Sequence, residues 1–251
     1  MQISVVINTY NASKHLKEVL EAVKEFDEVL VCDMESTDDT CRIAAGFGCR
    51  IITFPKGLHQ IVEPARDFAI KQARCPWVLV VDADEIVTPE LKNYLYSRIQ
   101  ESNCPDGLYI PRKNYFMGQF MHCHYPDYIL RFFRREKTSW PPIIHISPEV
   151  DGRVEKIPEN RKELAFIHLA NDSVADILRK TNQYTEYELE KKKHKKYGTM
   201  AFFYRPAFRF LKAYLFKGGF RDGKAGFIKA CLEGYYQFIM LAKMTERKKN
   251  S

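Results

Sequence analysis

The chain has 251 residues, 45% hydrophobic and 28% charged, with a formal net charge of +7 at pH 7. That is enough chain to bury a sizeable core, and no apolar stretch is long enough to span a bilayer. The seven cysteines are odd in number, scattered and without a Cys-x-x-Cys pair, which argues against a disulfide framework and for a reducing, cytoplasmic setting.

Met1-Gln2-Ile3-Ser4-Val5-Val6-Ile7 carries no basic region and reads as a strand rather than a signal peptide. Leu16, Val19, Leu20 and Val23 follow at helical spacing, with Ser13 as the expected N-cap. Glu28–Cys32 reads as a second strand, Ser36-Thr37-Asp38-Asp39 as a turn, and Arg50–Phe54 as a third strand. A helix is expected from about Pro64 to Arg74. Strand and helix alternating through short loops describe an α/β, doubly wound, mostly parallel sheet. Such a sheet sets the carboxyl ends of its strands, with Asn8-Thr9-Tyr10 and Asp33, on one edge, where ligands bind.

The run Trp77-Val78-Leu79-Val80-Val81-Asp82-Ala83-Asp84-Glu85 is the most informative stretch. An apolar strand buried on both faces ends abruptly in acids. Lone buried carboxylates are costly, so these belong where the strand leaves the core. In an extended segment Asp82 and Asp84 point the same way, and Ala83 keeps the approach open. Two such oxygen ligands suit a divalent cation, Mg²⁺ or Mn²⁺, shared with a phosphate. Helix capping does not claim them, because Thr88-Pro89-Glu90-Leu91 supplies its own start.

Between 108 and 170 the pattern shifts to short segments (Leu108–Pro111, Tyr128–Arg134, Ala165–Leu169) parted by Pro and Gly, an antiparallel extension suited to a second substrate. His122-Cys123-His124 lacks the spacing and second ligand pair of a zinc site. Asn171-Asp172 is expected to open a long helix with Val174, Ile177, Leu178, Thr181 and Tyr184 on one face. Lys191–Lys196 fall in its last turns and Gly198 stops it. The expected organisation is a catalytic domain over 1–170, with a nucleotide-binding half (1–105) and an acceptor-side half (106–170). A basic, aromatic-rich helical region follows over 171–251.

Asp33 can accept from a base N–H or a ribose hydroxyl, and Arg66 sits on the helix before the acid-tipped strand. With Val5-Val6-Ile7-Asn8-Thr9-Tyr10-Asn11, Val31-Cys32-Asp33-Met34-Glu35-Ser36-Thr37-Asp38 and Asp82-Ala83-Asp84-Glu85, the set resembles glycosyltransferase family 2. These are inverting enzymes with a nucleotide-sugar-binding (GT-A type) fold. The resemblance implies that Thr9 and Asp33 contact the base, with Tyr10 and Ala83 in the same pocket. It places Arg66 near base or diphosphate, Asp82 at the ribose or metal, and Asp84 on the metal. It implies a nucleotide-diphosphate sugar as donor, a uridine nucleotide first among them.

Arg131-Phe132-Phe133-Arg134-Arg135, Ile144-His145, Ile167-His168, Pro206–Tyr214 and Lys217–Gly223 with Gly226-Phe227 are similar to the bacterial branch that modifies the lipopolysaccharide core. That branch implies transfer of a hexose, such as glucose, to a glycan or lipid-linked acceptor. Where it often has His-Glu, this chain has His145-Ile146. Displacement needs a base within reach of the acceptor hydroxyl. Glu149 is the nearest substitute, with Asp127 and Asp151 as alternatives.

Residues 172–251 hold 18 Lys and Arg against 8 Asp and Glu, so the basicity belongs to the C-terminal third. Between Phe202 and Phe238 lie 12 of the chain's 31 Phe and Tyr, interleaved with cations. Two readings are open: a helical face for the inner membrane surface, or core aromatics with solvated lysines. No RNA-binding module appears, and nucleic acid is not an expected partner. Two further functions stand beside the transferase. A sugar-nucleotide nucleotidyltransferase would be expected to carry a Gly-rich phosphate loop that Asn8–Ser13 does not offer. A non-catalytic, membrane-surface binding protein would tolerate loss of Asp84.

Overall fold

The computed structural model describes residues 2–57, 62–141, 147–169, 173–192 and 197–249. The chain divides into two compact units, Met1–Lys113 with Pro126–Leu169, and Asn114–Tyr125 with Ala170–Ser251. Residues 114–125 thus group with the C-terminal helices and not with the 106–170 half in which the sequence places them.

The first unit is built on four parallel strands in the order β3-β2-β1-β4: β1 (Ile3–Thr9), β2 (Glu28–Asp33), β3 (Arg50–Thr53) and β4 (Trp77–Asp82). Alternation along the strands sorts side chains to two faces. Ile3, Val5, Ile7, Leu79 and Val81 meet Leu16, Val19, Leu20 and Val23 of α1 (Ser13–Val23) and Leu91 and Leu95 of α4 (Pro89–Arg98). Val6, Leu30, Val78 and Val80 meet Ala65, Ala69 and Ile70 of α3 (Glu63–Gln72). A short α2 (Thr40–Gly46) links β2 to β3. Thr88 caps α4 as the sequence predicts, accepting from Leu91 N–H at 3.2 Å with Pro89 in the first turn.

Ser13 does not cap α1. The helix begins on it, with Ala12 at the cap position. Its exposed N–H groups are met from the following loop instead: Ala12 N–H donates to Thr40 Oγ1 at 2.8 Å and Ser13 N–H to Asp38 Oδ2 at 3.1 Å.

Past β4 come β5 (Glu85–Ile86), β6 (Gly107–Phe116), β7 (Gln119–Phe120), β8 (Asp127–Arg134), β9 (Thr138–Ser139), β10 (Glu149–Val150), β11 (Val154–Lys156) and β12 (Phe166–His168). β8 runs antiparallel to β4, with Leu79 opposite Phe132 and Trp77 opposite Arg134, and antiparallel to β6. The sheet continues β8-β6-β12-β5, which is the expected antiparallel extension. Since β8 runs against β4, its first residue lies toward the edge where β4 ends.

In the second unit the tail of β6 turns back into β7 through Met117 and Gly118, both at positive φ, 51° and 78°. That is the two-residue hairpin turn that suits the strand twist. The carboxylate of Asp222 is fully buried and pins the segment beyond. It accepts from the N–H groups of His122 (2.9 Å) and Cys123 (3.0 Å) and lies 2.7 Å from His122 Nδ1. Three helices follow: α5 (Val174–Lys192), α6 (Ala201–Leu211) and α7 (Gly223–Lys249). Phe202 meets Phe238, and Phe210 meets Phe227, at ring centroids 5.7 Å apart, so α6 and α7 run antiparallel. Gly226 is required there, because a Cβ would lie 1.9 Å from the Gly219 carbonyl oxygen.

The face expected of α5 holds in part. Ile177 packs inward and Thr181 is buried, but Val174, Leu178 and Tyr184 are exposed, and the buried line continues through Thr185 and Leu189. Two threonines bury here because the Thr185 hydroxyl donates to the Thr181 carbonyl at 2.7 Å. Asn171-Asp172, Lys193–Lys196 and His145-Ile146 lie outside the described residues. Among the described residues, no helix is long and apolar enough to cross a membrane.

Candidate functional site

At the carboxyl ends of β1 and β2, Thr9 pairs with Asp33 in register. Thr9 Oγ1 donates to Asp33 Oδ1 at 2.8 Å, and Ser36 N–H donates to Asp33 Oδ2 at 2.8 Å. The two residues the sequence assigns to the base are thus brought together but buried, at 2% and 3% exposure. Their polar atoms organise the loops at these strand ends. Asn11 and Glu35 take left-handed φ values of 48° and 61° there. Asn11 Oδ1 accepts from Thr37 N–H at 2.8 Å, which ties the two loops together. Strained non-glycine residues held by side-chain bonds mark a loop shaped for a purpose. Tyr10 is exposed, and the Lys56 ammonium stands 3.5 Å from its ring centre.

The acids after β4 separate. β4 ends at Asp82, residues 83–84 form a turn, and β5 begins at Glu85. The side chains therefore do not point the same way, as an extended Asp-x-Asp would require. Asp82 lies opposite Asn8 of β1 and accepts two guanidinium bonds: Arg66 Nη2 to Oδ1 at 2.7 Å, Arg131 Nη2 to Oδ2 at 2.8 Å. Burial opposes its charge, but Arg131 and Arg66, with Arg112 and His168 behind them, prevail and hold the carboxyl down at about 2. Arg66 in turn is pushed down by burial.

From Asp82 a chain of bonds runs across the sheet. Asp82 N–H donates to Glu85 Oε2 at 3.1 Å. Arg112 Nη1 donates to Glu85 Oε1 at 3.0 Å, and its Nε and Nη2 reach Asp127 Oδ2 at 2.9 and 2.7 Å. Arg112 and Asp127 are register partners on β6 and β8. Glu85 is wholly buried; burial, reinforced by the negative Asp82, raises its carboxyl above the usual range. Burial lowers Arg112, but Glu85 and Asp127 overcome it and raise the guanidinium.

Asp84 stands outside this chain. Its carboxylate, 37% exposed, lies 3.4 Å from His168 Nε2. Pairing of β12 with β5 brings His168 there, opposite Glu85, and Leu169 N–H donates to the Asp84 carbonyl at 2.7 Å. Among the described residues no group of three or more His, Cys, Asp or Glu is assembled for a metal. A carboxylate and an imidazole side by side still fit a cation that takes its remaining ligands from phosphate oxygens and water. Asp82 fits that role poorly, with both oxygens committed to arginines.

Of the three candidate bases, only Asp127 joins the cluster. Asp151 N–H donates to the Lys137 carbonyl at 2.8 Å, past the end of β8 whose Arg134 faces Trp77 at the start of β4. Asp151 therefore lies toward the opposite edge. Glu149 pairs with Ser139 on a two-residue ladder and is exposed, while its neighbour Val150 packs inward against Gly107.

The sequence reading missed Arg112 and Trp140 as parts of this cluster, and named Glu85, Arg131 and His168 only within resembling motifs. The Trp140 ring lies beneath both guanidinia on Asp82, 4.8 Å from Arg66 Cζ and 5.2 Å from Arg131 Cζ. Arg66 Nε, Arg131 Nε and Trp140 Nε1 are buried with no hydrogen-bond partner among the described residues. The available signal was an arginine, Arg131, inside an apolar strand, which demands a buried counter-charge.

Known proteins resemble this chain in sequence and in fold. The lipopolysaccharide core biosynthesis glycosyltransferase LpsC of Rhizobium meliloti (strain 1021) is 25% identical over 265 residues, covering 98% of this chain and 93% of that protein. Among solved structures, the mannosyltransferase PcManGT from Pyrobaculum calidifontis, in complex with GDP-Man and Mn²⁺, aligns with TM-score 0.56 at 13% identity over 97% of this chain and 87% of its own. S. aureus TarS 1–349 in complex with UDP aligns with TM-score 0.50 at 17% identity over 100% and 92%. These structures establish the fold as GT-A, as the sequence implies. The glycosyl transferase family 2 model matches residues 4–212, a span holding the sheet, the acid-tipped turn and the Asp127–Arg112 pair, and the chain belongs to that family.

Proposed function

We propose that the protein is an inverting, cation-assisted glycosyltransferase that moves a hexose from a UDP-sugar to a lipopolysaccharide-core or related glycan acceptor. The observation that carries this is the division of labour after β4. Asp82 is neutralised twice over by Arg66 and Arg131, while Asp84 is left beside His168, partly open to solvent. Donor chemistry needs that contrast: a rigid ionic floor, and a carboxylate to share a cation with the diphosphate. The name of the LpsC relative supports the acceptor class, and the ligands of the PcManGT and TarS structures support a nucleotide-linked donor.

Asp84 and His168 would hold the cation, and an imidazole beside a carboxylate favours Mn²⁺ over Mg²⁺. A cation there would supply Lewis-acid neutralisation of the diphosphate charge. The linked loops around Thr9, Asp33 and Asn11 shape the slot for the base, and Tyr10 with Lys56 forms its lip. The unpartnered N–H groups of the Arg66–Trp140–Arg131 stack suit a ligand rich in acceptor oxygens. Asp127 takes the proton from the acceptor hydroxyl. The hydroxyl oxygen bonds to the anomeric carbon from the face opposite the diphosphate, whose bond breaks, and the configuration inverts. Arg112 orients Asp127 through its Nε and Nη2 bonds.

Thermal melting with UDP, GDP, CDP and dTDP, each with and without Mn²⁺, tests the reading. A ligand at about 100 times its dissociation constant stabilises by about 2.7 kcal/mol. A shift that needs both UDP and Mn²⁺, and is lost in Asp84→Ala, is expected. No shift with any nucleotide overturns the donor assignment, and a shift indifferent to cation overturns the role of Asp84.

A further inference from the structure

The second unit carries a surface that the transfer reaction does not use. Along α6 and the π-helical turn after it (Lys212–Phe216), some aromatics pack inward: Phe202 on Phe238, Phe210 on Phe227 and Tyr214. The others face out. Phe203, Tyr204, Phe208, Leu211, Leu215 and Phe216 are all exposed, Phe203 at 68% and Phe216 at 80%. Tyr204, Phe208, Leu211 and Leu215 follow one another at steps of three and four residues, which places them along one side of the helix, with Phe203 and Phe216 flanking that line. A contiguous apolar stripe of this kind is uncommon on a surface without a partner.

Charge says what covers it. From Tyr197 to Leu232 the sequence holds seven Lys and Arg and a single acid, Asp222. Asp222 is buried and turned onto His122 and Cys123, so it offsets nothing at the surface. Arg209 is occupied with Glu233 and Arg205 with the Tyr197 ring, which leaves Lys212, Lys217, Arg221 and Lys224 exposed around the stripe. A protein partner or a second copy of this chain would bring surface acids and bases in mixture. An apolar strip of Phe, Tyr and Leu with four exposed cations along it matches the acyl boundary and headgroups of an anionic bilayer.

We propose that α6 and its π-turn lie in the interface of an anionic membrane, with the outward Phe, Tyr and Leu side chains among the acyl chains and Lys212, Lys217, Arg221 and Lys224 at the headgroups. The proposal is independent of the donor and of the catalytic assignments, which belong to the first unit.

Flotation of the full chain with vesicles tests it, using phosphatidylcholine alone and phosphatidylcholine with about 30% phosphatidylglycerol at about 0.15 M salt. The protein is expected to float with the anionic vesicles and to remain below with the neutral ones. The triple variant Phe208→Ser, Leu215→Ser, Phe216→Ser is expected to lose flotation. The triple variant Lys212→Glu, Lys217→Glu, Lys224→Glu is expected to bind anionic vesicles on the order of 100-fold more weakly. Both alter exposed side chains; circular dichroism checks that each folds, and the charge-reversal variant decides if the apolar one does not. Failure of the native protein to float with anionic vesicles overturns the proposal. So does native-like flotation of the charge-reversal variant. Concentration-dependent self-association without lipid, abolished by the same substitutions and unaccompanied by flotation, assigns the face to a second copy and also overturns it.

Discussion

In the first unit the acids at the strand ends are met by arginines: Asp82 by Arg66 and Arg131, Glu85 and Asp127 by Arg112. In the second, Lys212, Lys217, Arg221 and Lys224 are exposed beside an inward-turned acid, Asp222, and exposed rings lie among them. The first arrangement fixes side chains in place, since each charge is costly to move away from its partner. The second leaves charge and apolar area unsatisfied at the surface. Paired charge at the end of a buried strand therefore marks where geometry must be held. Unpaired charge beside exposed aromatics marks where something must be met.

Asp84 is the sharpest place to break that contrast, because it is met by His168 and, among the described residues, by no arginine. Asp84→Ala is expected to lower the transfer rate by about 10⁴-fold or more, given several kcal/mol of leaving-group stabilisation from the cation. Its melting temperature without ligands should stay close to that of the native protein, while the Mn²⁺-dependent stabilisation by UDP disappears. Normal turnover by this variant with Mn²⁺ present would falsify the division between Asp82 and Asp84. His168→Ala should show the same loss of cation dependence in smaller measure.

Next in size is the base. Asp127→Asn should cost about 10²–10⁴-fold in kcat/KM, the usual contribution of a positioned proton acceptor. Glu149→Gln is expected to change it by no more than about 2-fold, as an exposed side chain away from the chemistry. The reverse ranking would return the role to the His145–Asp151 loop.

Arg131→Ala tests the pairing itself. It leaves Asp82 with one guanidinium and removes the group stacked on Trp140, so a loss of about 2–4 kcal/mol in urea unfolding is expected. Lys212→Ala, in the unpaired region, should change stability by less than about 0.5 kcal/mol. Equal losses at the two sites would remove the distinction between the regions.

What the sequence shows of this protein follows the range of the forces involved. The strands and the buried face of α1 are legible because Val5–Ile7, Val78–Val81 and the Leu16–Val23 spacing act locally. Thr88 is legible as a cap because its partner, Leu91, is three residues away. Ser13 misleads because the N–H groups at the start of α1 are met by Asp38 and Thr40, some 25 residues on. Asp82 and Asp84 are legible as acids at a strand end from the abrupt stop of β4, but not their separate settings. Those depend on a turn at 83–84 and on Arg131 and His168, delivered by β8 and β12. The base proposed above differs from the first candidate of the sequence for the same reason: proximity along the chain favours Glu149, whereas antiparallel register carries Asp127 to the cluster. On α5, a hydrophobic stripe through Val174, Leu178 and Tyr184 outweighs Thr185 on paper, while the hydroxyl's bond to Thr181 lets threonine take the buried side.

The smallest effect isolates the ionic floor from everything around it. Asp82 folds with its carboxyl at about 2 against an ordinary 3.8, so the ionised form is the one that the native state prefers. Its contribution is therefore complete above pH about 4 and is lost as pH falls through the folded value, protonation then releasing Arg66 and Arg131 from their partner. A shift of that size corresponds to about 2 kcal/mol. In Asp82→Asn no proton is taken up at this site, so the slope of unfolding free energy against pH between about 4 and 2 should be shallower than in the native protein by about one proton's worth. Glu85 acts oppositely. Its raised carboxyl costs stability as pH rises above its ordinary 4.5, so Glu85→Gln should gain relative to the native protein on that side. Parallel acid limbs for Asp82→Asn and the native protein would show that the two arginines hold Asp82 by shape and not by charge, and the contrast with the second unit would then rest on packing alone.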